Sequence, residues 1–155
     1  MVPASWLFTF LGGHQNWRSQ AAAEVESLLD RYSVLPIKTS LQEKASSSAK
    51  SLASRLSTIP LETWENEVPV LDAIIRETTR IAQPHTAMRR NVGPEIYINN
   101  KIIPTNAYVV YPFSDVHLNP DLYPDPWKFD PGRKEVTDIP FAYLGWGGGM
   151  KYFFI

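Results

Sequence analysis

Hydrophobic side chains recur at helical spacing in residues 70–83, which read V-L-D-A-I-I-R-E-T-T-R-I-A-Q. This pattern predicts an amphipathic helix with one apolar side. Five aliphatic residues share that side: Val70, Leu71, Ile74, Ile75 and Ile81. Pro69 suits the first helical turn, where its missing N–H costs nothing, and Pro84 ends the helix. The rest of the chain is best understood as parts arranged around this central helix.

The first half of the chain predicts a second long helix over residues 16–32, with an alanine-rich start followed by an apolar stripe. An apolar run at residues 6–11 precedes it, and we expect Gly12-Gly13 to break that run. Residues 36–60 are predicted to be a flexible connector, in which residues 43–55 form either a short surface helix or a loop. Residues 61–68 lead into the central helix, with Asn66 predicted as its N-cap.

The second half predicts short strands and turns, because most of the 13 prolines fall there. Strands are expected at residues 85–91, 95–98, 101–103 and 107–111. Asn99-Asn100 separates the second strand from the third, and asparagine tolerates left-handed angles, so a two-residue hairpin is predicted. Residues 114–119 are expected to make one helical turn, and residues 120–126 are predicted to form an irregular loop because they are rich in proline.

Composition excludes several classes of site. The net charge of −1 gives no argument for a nucleic-acid partner. The sequence contains no cysteine, so neither disulfides nor cysteine-based metal sites are expected. His14, His85 and His117 lie far apart in sequence, and each is interpreted as a solitary polar residue rather than a ligand. The apolar runs are too short to cross a bilayer, and no signal peptide is indicated.

Three charged residues carry the first hint of a specific site. Glu77 and Arg80 lie three positions apart on the central helix, a spacing that by itself is typical of a solvated surface pair. Residues 129–133 (F-D-P-G-R) add Arg133 on a proline-stiffened turn. A carboxylate between two guanidinium groups can hold a loop to a helix, since each arginine can bind it bidentately. Residues 141–149 (F-A-Y-L-G-W-G-G-G) then form a glycine-rich loop.

This order of E-x-x-R, F-x-P-x-R and an aromatic-glycine loop resembles the C-terminal part of a cytochrome P450, the haem-thiolate monooxygenase family, in its eukaryotic, fungal-like microsomal form. The resemblance implies a mixed α/β, mostly helical chain, a partial cytochrome P450 fold corresponding to the C-terminal third, with a small sheet of short strands. It further implies that residues 1–155 are a truncated C-terminal part of a single domain.

The resemblance also implies roles for individual residues. Glu77, Arg80 and Arg133 match the structural triad of the family. Arg89 matches an arginine that pairs with a haem propionate, and a surface strand arginine is the alternative interpretation. Four residues match the loop that approaches the haem: Trp146, Gly147, Gly148 and Gly149. Glycines suit such a loop because side chains would collide with the porphyrin.

The sequence departs from the family pattern after Gly149. The family places its cysteine ligand seven residues after the aromatic residue that Trp146 matches. This chain has Phe153 there, and phenylalanine cannot ligate iron. Met150, Lys151 and Tyr152 are ligand types in principle, but a short tail is not preorganised to bind metal. Residues 150–155 are therefore interpreted as an off-pattern tail, with no metal ligand and no catalytic residue assigned, and the chain as written is expected to be inactive.

For the parent family, the resemblance implies a haem (heme) cofactor with its iron, an NADPH-cytochrome reductase as electron donor, a small organic substrate and a place at the endoplasmic reticulum membrane. No anchor is expected in this chain, and the substrate does not follow from the sequence. The alternative is a non-catalytic fragment: a binding or regulatory piece, or the product of a decayed or misannotated gene. Gly149-Met150 can be encoded by a string that looks like the start of an intron, which favours the last of these.

Overall fold

A computed structural model of the chain describes residues 4–33, 52–82, 85–145 and 147. The helices in these ranges are α1 (Ala4–Gly13), α2 (Gln15–Ser33), α3 (Leu52–Leu56), α4 (Leu61–Asn66), α5 (Pro69–Ala82) and α6 (Ser114–His117). The strands are β1 (Thr86–Arg90), β2 (Ile96–Ile98), β3 (Lys101–Ile103) and β4 (Tyr108–Pro112). Several predictions lie outside the described residues: most of the 36–60 connector, Pro84, Trp146, Gly148, Gly149, Phe153 and the 150–155 tail.

The described residues fall into two compact units, one drawn from Leu11–Ile74 and the other from Met1–Phe10 with Ile75–Ile155. The Leu11–Ile74 unit has a small aliphatic core. Its buried members are Leu28, Leu29, Ile59 and Val68. The predicted stripe of α2 supplies the first two, because their side chains lie on one face of that helix. A hydrogen bond of 2.8 Å between the hydroxyls of Tyr32 and Thr63 joins α2 to α4 beside this core.

The N-terminus of α5 is capped from α2. The Glu24 carboxylate accepts the N–H of Val70 at 2.9 Å and the N–H of Leu71 at 3.0 Å. A carboxylate at this position also complements the positive end of the helix dipole. The prediction of Asn66 as the N-cap is wrong, because its side-chain amide donates back to the Glu62 carbonyl within α4.

The central helix is confirmed, with Pro69 as its first residue. Ile74 is fully buried, but Ile75 is 38% exposed, so the predicted apolar side is too wide. Ile75 lies about 100° around the helix from Ile74, so the two side chains point in different directions. In the second half of the helix, burial instead extends to four consecutive polar residues, which point to all sides of it: Glu77, Thr78, Thr79 and Arg80.

Gly12-Gly13, which are expected to break the apolar run at residues 6–11, are still part of α1, which continues through Gly13. A glycine inside a helix costs roughly 1 kcal/mol relative to alanine, which a helix can tolerate. The chain leaves the helical conformation one residue later, at His14, before α2 begins.

The other unit contains two antiparallel pairs of strands. Strands β1 and β4 pair over five positions, from Thr86 opposite Pro112 to Arg90 opposite Tyr108. Strands β2 and β3 form the predicted hairpin, with Ile98 opposite Lys101. Asn99 and Asn100 have φ of 48° and 62°, so both adopt the left-handed angles that a two-residue hairpin needs. The fold class is thus confirmed as mostly helical with short-stranded sheets.

Candidate functional site

Glu77 and Arg80 form a buried ion pair one helical turn apart on α5. The Glu77 side chain is 6% exposed and that of Arg80 is 2% exposed. Arg80 donates from Nε to Oε2 and from Nη2 to Oε1 of the carboxylate, each at 2.8 Å. This fork-to-fork geometry fixes the orientation of both groups. The interpretation of an isolated surface pair therefore does not describe these two residues.

Arg133 joins this pair from the turn at residues 130–133. Its Nε lies 3.4 Å from Glu77 Oε1, the oxygen that also accepts the backbone N–H of Asp130 at 3.1 Å. The terminal nitrogens of Arg133 donate to three backbone carbonyls in the irregular loop and just after it: Pro124, Asp125 and Lys128. One carboxylate thus holds the turn to α5, and Arg133 holds the loop to the turn. Arg133 contacts Glu77 through a single nitrogen rather than bidentately.

Arg80 extends the cluster toward α6 and the irregular loop. Its Nη1 donates to the main-chain carbonyl of His117 at 2.6 Å. Its guanidinium carbon lies 4.9 Å from the centre of the Tyr123 ring, a cation–π distance. The three nitrogens of Arg80 thus all have acceptors, which satisfies a charge that burial would otherwise make costly.

The start of the glycine-rich loop is held by the side chains of two residues that Arg80 contacts. The Tyr123 hydroxyl donates to the Ala142 carbonyl at 2.8 Å. The Leu144 N–H donates to Nε2 of His117 at 2.8 Å. Both bonds are buried.

Burial changes the ionisation of these two side chains. Desolvation lowers the pKa of His117 from its ordinary 6.5 to about 4, and the positive charge of Arg80 acts in the same direction. His117 is therefore neutral at pH 7, as an acceptor for Leu144 requires. Burial raises the pKa of Tyr123 above its ordinary value, while Arg80 opposes that change. The phenol keeps its proton and donates it to Ala142.

The remaining predicted site residues lie outside this cluster, and some of them lie outside the described residues. Arg89 lies on β1 opposite Val109, with an exposed side chain that donates to the Met88 carbonyl at 2.9 Å. Gly147 has φ of 98° and donates its N–H to Leu144 at 3.0 Å, a conformation that favours glycine. Trp146, Gly148 and Gly149 lie outside the described residues.

The sequence did not predict that two residues belong to the cluster: His117 and Tyr123. His117 was interpreted as a solitary polar residue, yet its side chain is completely buried. The local hint was weak, since Val116 and Leu118 flank the histidine and both are partly buried. Tyr123 was placed within the irregular loop without a role. Nothing in a proline-rich loop indicates which aromatic turns inward.

Two features are absent from the described residues, 4–33, 52–82, 85–145 and 147. They contain no group of three or more histidine, cysteine, aspartate or glutamate side chains placed to hold a metal ion. Within the same ranges, no helix has the length and apolar character needed to cross a membrane.

Comparisons with known proteins place this geometry in a family context. The family model described as Cytochrome P450 matches residues 41–151. The chain is 37% identical over 97 residues to cytochrome P450 monooxygenase nsrP of Aspergillus novofumigatus, which covers 57% of this chain and 19% of that protein. It is 29% identical over 151 residues to cytochrome P450 monooxygenase AacuE of Aspergillus aculeatus, which covers 92% of this chain and 28% of that protein.

Solved structures show the same likeness. Retinoic acid-bound cyanobacterial CYP120A1 aligns with a TM-score of 0.61 and 26% identity, over 94% of this chain and 28% of that chain. A zebrafish cytochrome P450 solved with progesterone aligns with a TM-score of 0.66 over 96% of this chain and 29% of that chain, and at 18% identity it is similar in fold alone. The chain thus spans less than a third of the length of the relatives it matches.

Proposed function

Because this chain belongs to the cytochrome P450 family, we propose that it is part of the scaffold that seats haem in a monooxygenase. Such an enzyme inserts one oxygen atom from dioxygen into a small organic substrate. The observation that carries the proposal is the buried Glu77–Arg80–Arg133 cluster, whose partners His117 and Tyr123 hold the start of the glycine-rich loop.

Each predicted site residue has a place in this proposal. Glu77, Arg80 and Arg133 keep the turn at residues 130–133 and the loop before it fixed to α5. Arg89 pairs with a haem propionate, which its exposed guanidinium supports, because a cation and a carboxylate form a charge-assisted hydrogen bond. Four residues let the chain approach the porphyrin without side-chain collisions or line that approach: Trp146, Gly147, Gly148 and Gly149.

The residues present do not fit a haem-thiolate centre. The family's cysteine position holds Phe153, and the sequence contains no cysteine. A phenyl ring has no lone pair to donate to iron, whereas the thiolate supplies the electron density that favours O–O cleavage. We therefore propose that this chain does not catalyse monooxygenation.

A carbon monoxide difference spectrum tests the two parts of the proposal separately. The purified chain, supplied with haem and reduced, is expected to give no thiolate-type Soret band, and such a band would refute the inactivity. The variant Phe153→Cys supplies the missing sulfur at the pattern position and is expected to give that band. A folded Phe153→Cys protein that binds no haem would refute the scaffold role.

The role of Arg89 has a matched control on the same strand. In the Phe153→Cys background, Arg89→Ala is expected to weaken haem binding, measured by absorption titration, more than Arg90→Ala does. Arg90 is a suitable control because it is also exposed and donates to Asn106 at 3.0 Å. Equal affinities for the two variants would return Arg89 to the alternative interpretation, a surface strand arginine.

The partners and location of the whole enzyme follow from the same proposal. An NADPH-cytochrome reductase would supply the electrons, and eukaryotic members of the family act at the endoplasmic reticulum membrane. Co-sedimentation of the protein with microsomal membranes, followed by reductase-dependent turnover in the full-length enzyme, checks both points.

A non-catalytic binding role is the second candidate, and exposed apolar side chains on both sheets favour it. Met88 and Val110 on the β1–β4 pair are 57% and 55% exposed, and Tyr97 and Ile102 on the hairpin are 65% and 55% exposed. Met88 lies opposite Val110 and Tyr97 opposite Ile102, and clustered apolar surface marks interaction sites or lowers solubility. We expect marginal stability and a tendency to associate. A sharp cooperative thermal transition of a soluble monomer would count against this candidate.

A further inference from the structure

The first residues of the glycine-rich loop are anchored one after another. The Ala142 carbonyl accepts from Tyr123, and the Leu144 N–H donates to His117 Nε2 at 2.8 Å. Phe141, just before them, has φ of 62°, in the left-handed region that is unfavourable for a bulky residue. A conformation of this kind persists only where the surroundings hold it in place.

The Tyr143 ring packs on the same histidine. Its centre lies 5.4 Å from that of the His117 imidazole with 23° between the planes, and the Arg76 guanidinium carbon lies 4.7 Å from the ring centre. The ring lies so close to Gly145 that a Cβ at that position would overlap it. His117 therefore contacts the loop twice, through a hydrogen bond to Leu144 and through the ring of Tyr143.

His117 is at the same time tied to the buried ion pair. Its carbonyl accepts from Arg80 Nη1 at 2.6 Å, and Arg80 is locked by its two bonds to Glu77. Arg80 belongs to α5 and Leu144 to the glycine-rich loop. His117 joins the two through its main-chain carbonyl and its imidazole.

We propose that His117 is a positioning residue that sets the backbone of the glycine-rich loop. Its neutral imidazole accepts the Leu144 N–H, and its main-chain carbonyl ties it to Arg80 of the Glu77–Arg80 pair. The functional importance of this position rests on the proposed haem scaffold. The positioning itself is a property of the chain without haem and is tested without it.

The proposal requires one protonation state of the imidazole. Because Nε2 accepts from Leu144, the proton is on Nδ1, and no acceptor meets Nδ1 within the described residues. The charged groups that face His117 from the packed elements are Arg80, itself paired with Glu77, and Arg76 beyond the Tyr143 ring. Burial and Arg80 lower the pKa of His117 to about 4. Above that pH the acceptor is available, and protonation removes it.

Hydrogen exchange at the Leu144 amide measures this bond directly. The chain is labelled with ¹⁵N-leucine, and the protection factor of Leu144 is followed by NMR in the wild type, His117→Gln, His117→Asn and His117→Leu. Glutamine places its amide oxygen close to the position of Nε2, asparagine is too short to reach, and leucine has no acceptor. His85→Leu is the matched control, because His85 is an exposed histidine outside the cluster. Far-UV circular dichroism verifies the fold of each variant.

Exchange at Leu144 is expected to be about fivefold to tenfold faster in His117→Asn and His117→Leu, the effect of losing one net hydrogen bond. It is expected to stay within about twofold of wild type in His117→Gln and His85→Leu, because the acceptor survives in both. If His117→Leu does not fold, the comparison of glutamine with asparagine decides. Equal exchange in those two variants, with the fold intact, would overturn the proposal.

The pH profile adds a readout that a merely space-filling histidine would not give. In wild type, the Leu144 protection factor is expected to fall as the pH drops through about 4, and in His117→Gln this fall should be absent. Identical profiles for the two proteins would overturn the role of the imidazole as acceptor. If Phe153→Cys folds but binds no haem, while exchange at Leu144 behaves as expected, only the proposed scaffold function is refuted.

Discussion

Glu77→Gln is expected to lower the free energy of unfolding by about 3–5 kcal/mol, because it leaves a buried guanidinium without its counter-charge. The Glu77 carboxylate accepts two bonds of 2.8 Å from Arg80, one of 3.1 Å from the Asp130 N–H and one of 3.4 Å from Arg133 Nε. Glutamine offers one oxygen in place of two and turns an N–H₂ group toward a cation. Arg80, 2% exposed, cannot recover its solvation from water.

The magnitude follows from burial rather than from the ion pair as such. Domains are stable by only about 5–15 kcal/mol, so a loss of this size is a large fraction of the total. The matched control is Glu135→Gln, which breaks the 3.1 Å pair between Glu135 and Arg76. There the glutamate side chain is 56% exposed and the arginine 33%, so water replaces the lost partner. Exposed pairs contribute about 1 kcal/mol or less.

Urea unfolding at pH 7, followed by far-UV circular dichroism and tryptophan fluorescence, measures both variants against wild type. We expect Glu77→Gln to cost at least about 2 kcal/mol more than Glu135→Gln, from the two ranges above. If no folded Glu77→Gln can be obtained, the pair Glu77→Asp and Glu135→Asp makes the same comparison with the charge retained and the reach shortened. Equal costs at the two positions would refute the reasoning that burial of the cluster sets its contribution.

Three further predictions concern stability. His117 has a pKa of about 4 in the folded chain and an ordinary value of 6.5, so between these pH values the unfolded chain binds a proton that the folded chain does not. The free energy of unfolding should therefore fall by about 3 kcal/mol as the pH drops through this window. A pH series of urea unfolding that is no flatter in His117→Gln than in wild type would contradict this. Glu24→Gln weakens the cap of α5 and should lower the free energy of unfolding by about 1 kcal/mol, measured by a thermal melt. Glu26→Gln, on the exposed side of α2, should change it very little. Equal melting temperatures for the two variants would argue against the cap. Asn100→Gly should stabilise the hairpin by about 0.5–1 kcal/mol, since Asn100 has φ of 62° and glycine has no steric penalty at left-handed angles. A lower urea midpoint for this variant would show that the asparagine side chain contributes more than its backbone strain costs.

The elements that depend on near neighbours in sequence were predictable. The period of apolar residues predicted α2 and α5, and Pro69 marked the first residue of α5. Asn99-Asn100 predicted the hairpin, because the turn type depends on the conformations of just those two residues. Helical hydrogen bonds and tight turns join residues two to four positions apart, so the sequence contains nearly all the information they need.

Features that depend on distant partners were not predictable. The cap of α5 comes from Glu24, about 46 positions before Val70, rather than from the adjacent Asn66. A carboxylate on a helix surface gives no local sign of which backbone it will meet. The extent of the apolar side of α5 was wrong at Ile75 for the same reason, since exposure depends on what packs around the helix.

The candidate site shows the same division. The sequence by itself determined which charged residues were available, namely Glu77 and Arg80 at one helical turn and Arg133 on a proline-stiffened turn, and it placed Phe153 where the family has its ligand. Only the tertiary structure decided that the first pair is buried and that His117 joins it to the glycine-rich loop. Burial and hydrogen bonding across 27 to 56 positions arise from the way elements pack. Packing brings together residues whose own neighbours along the chain do not indicate that they will meet.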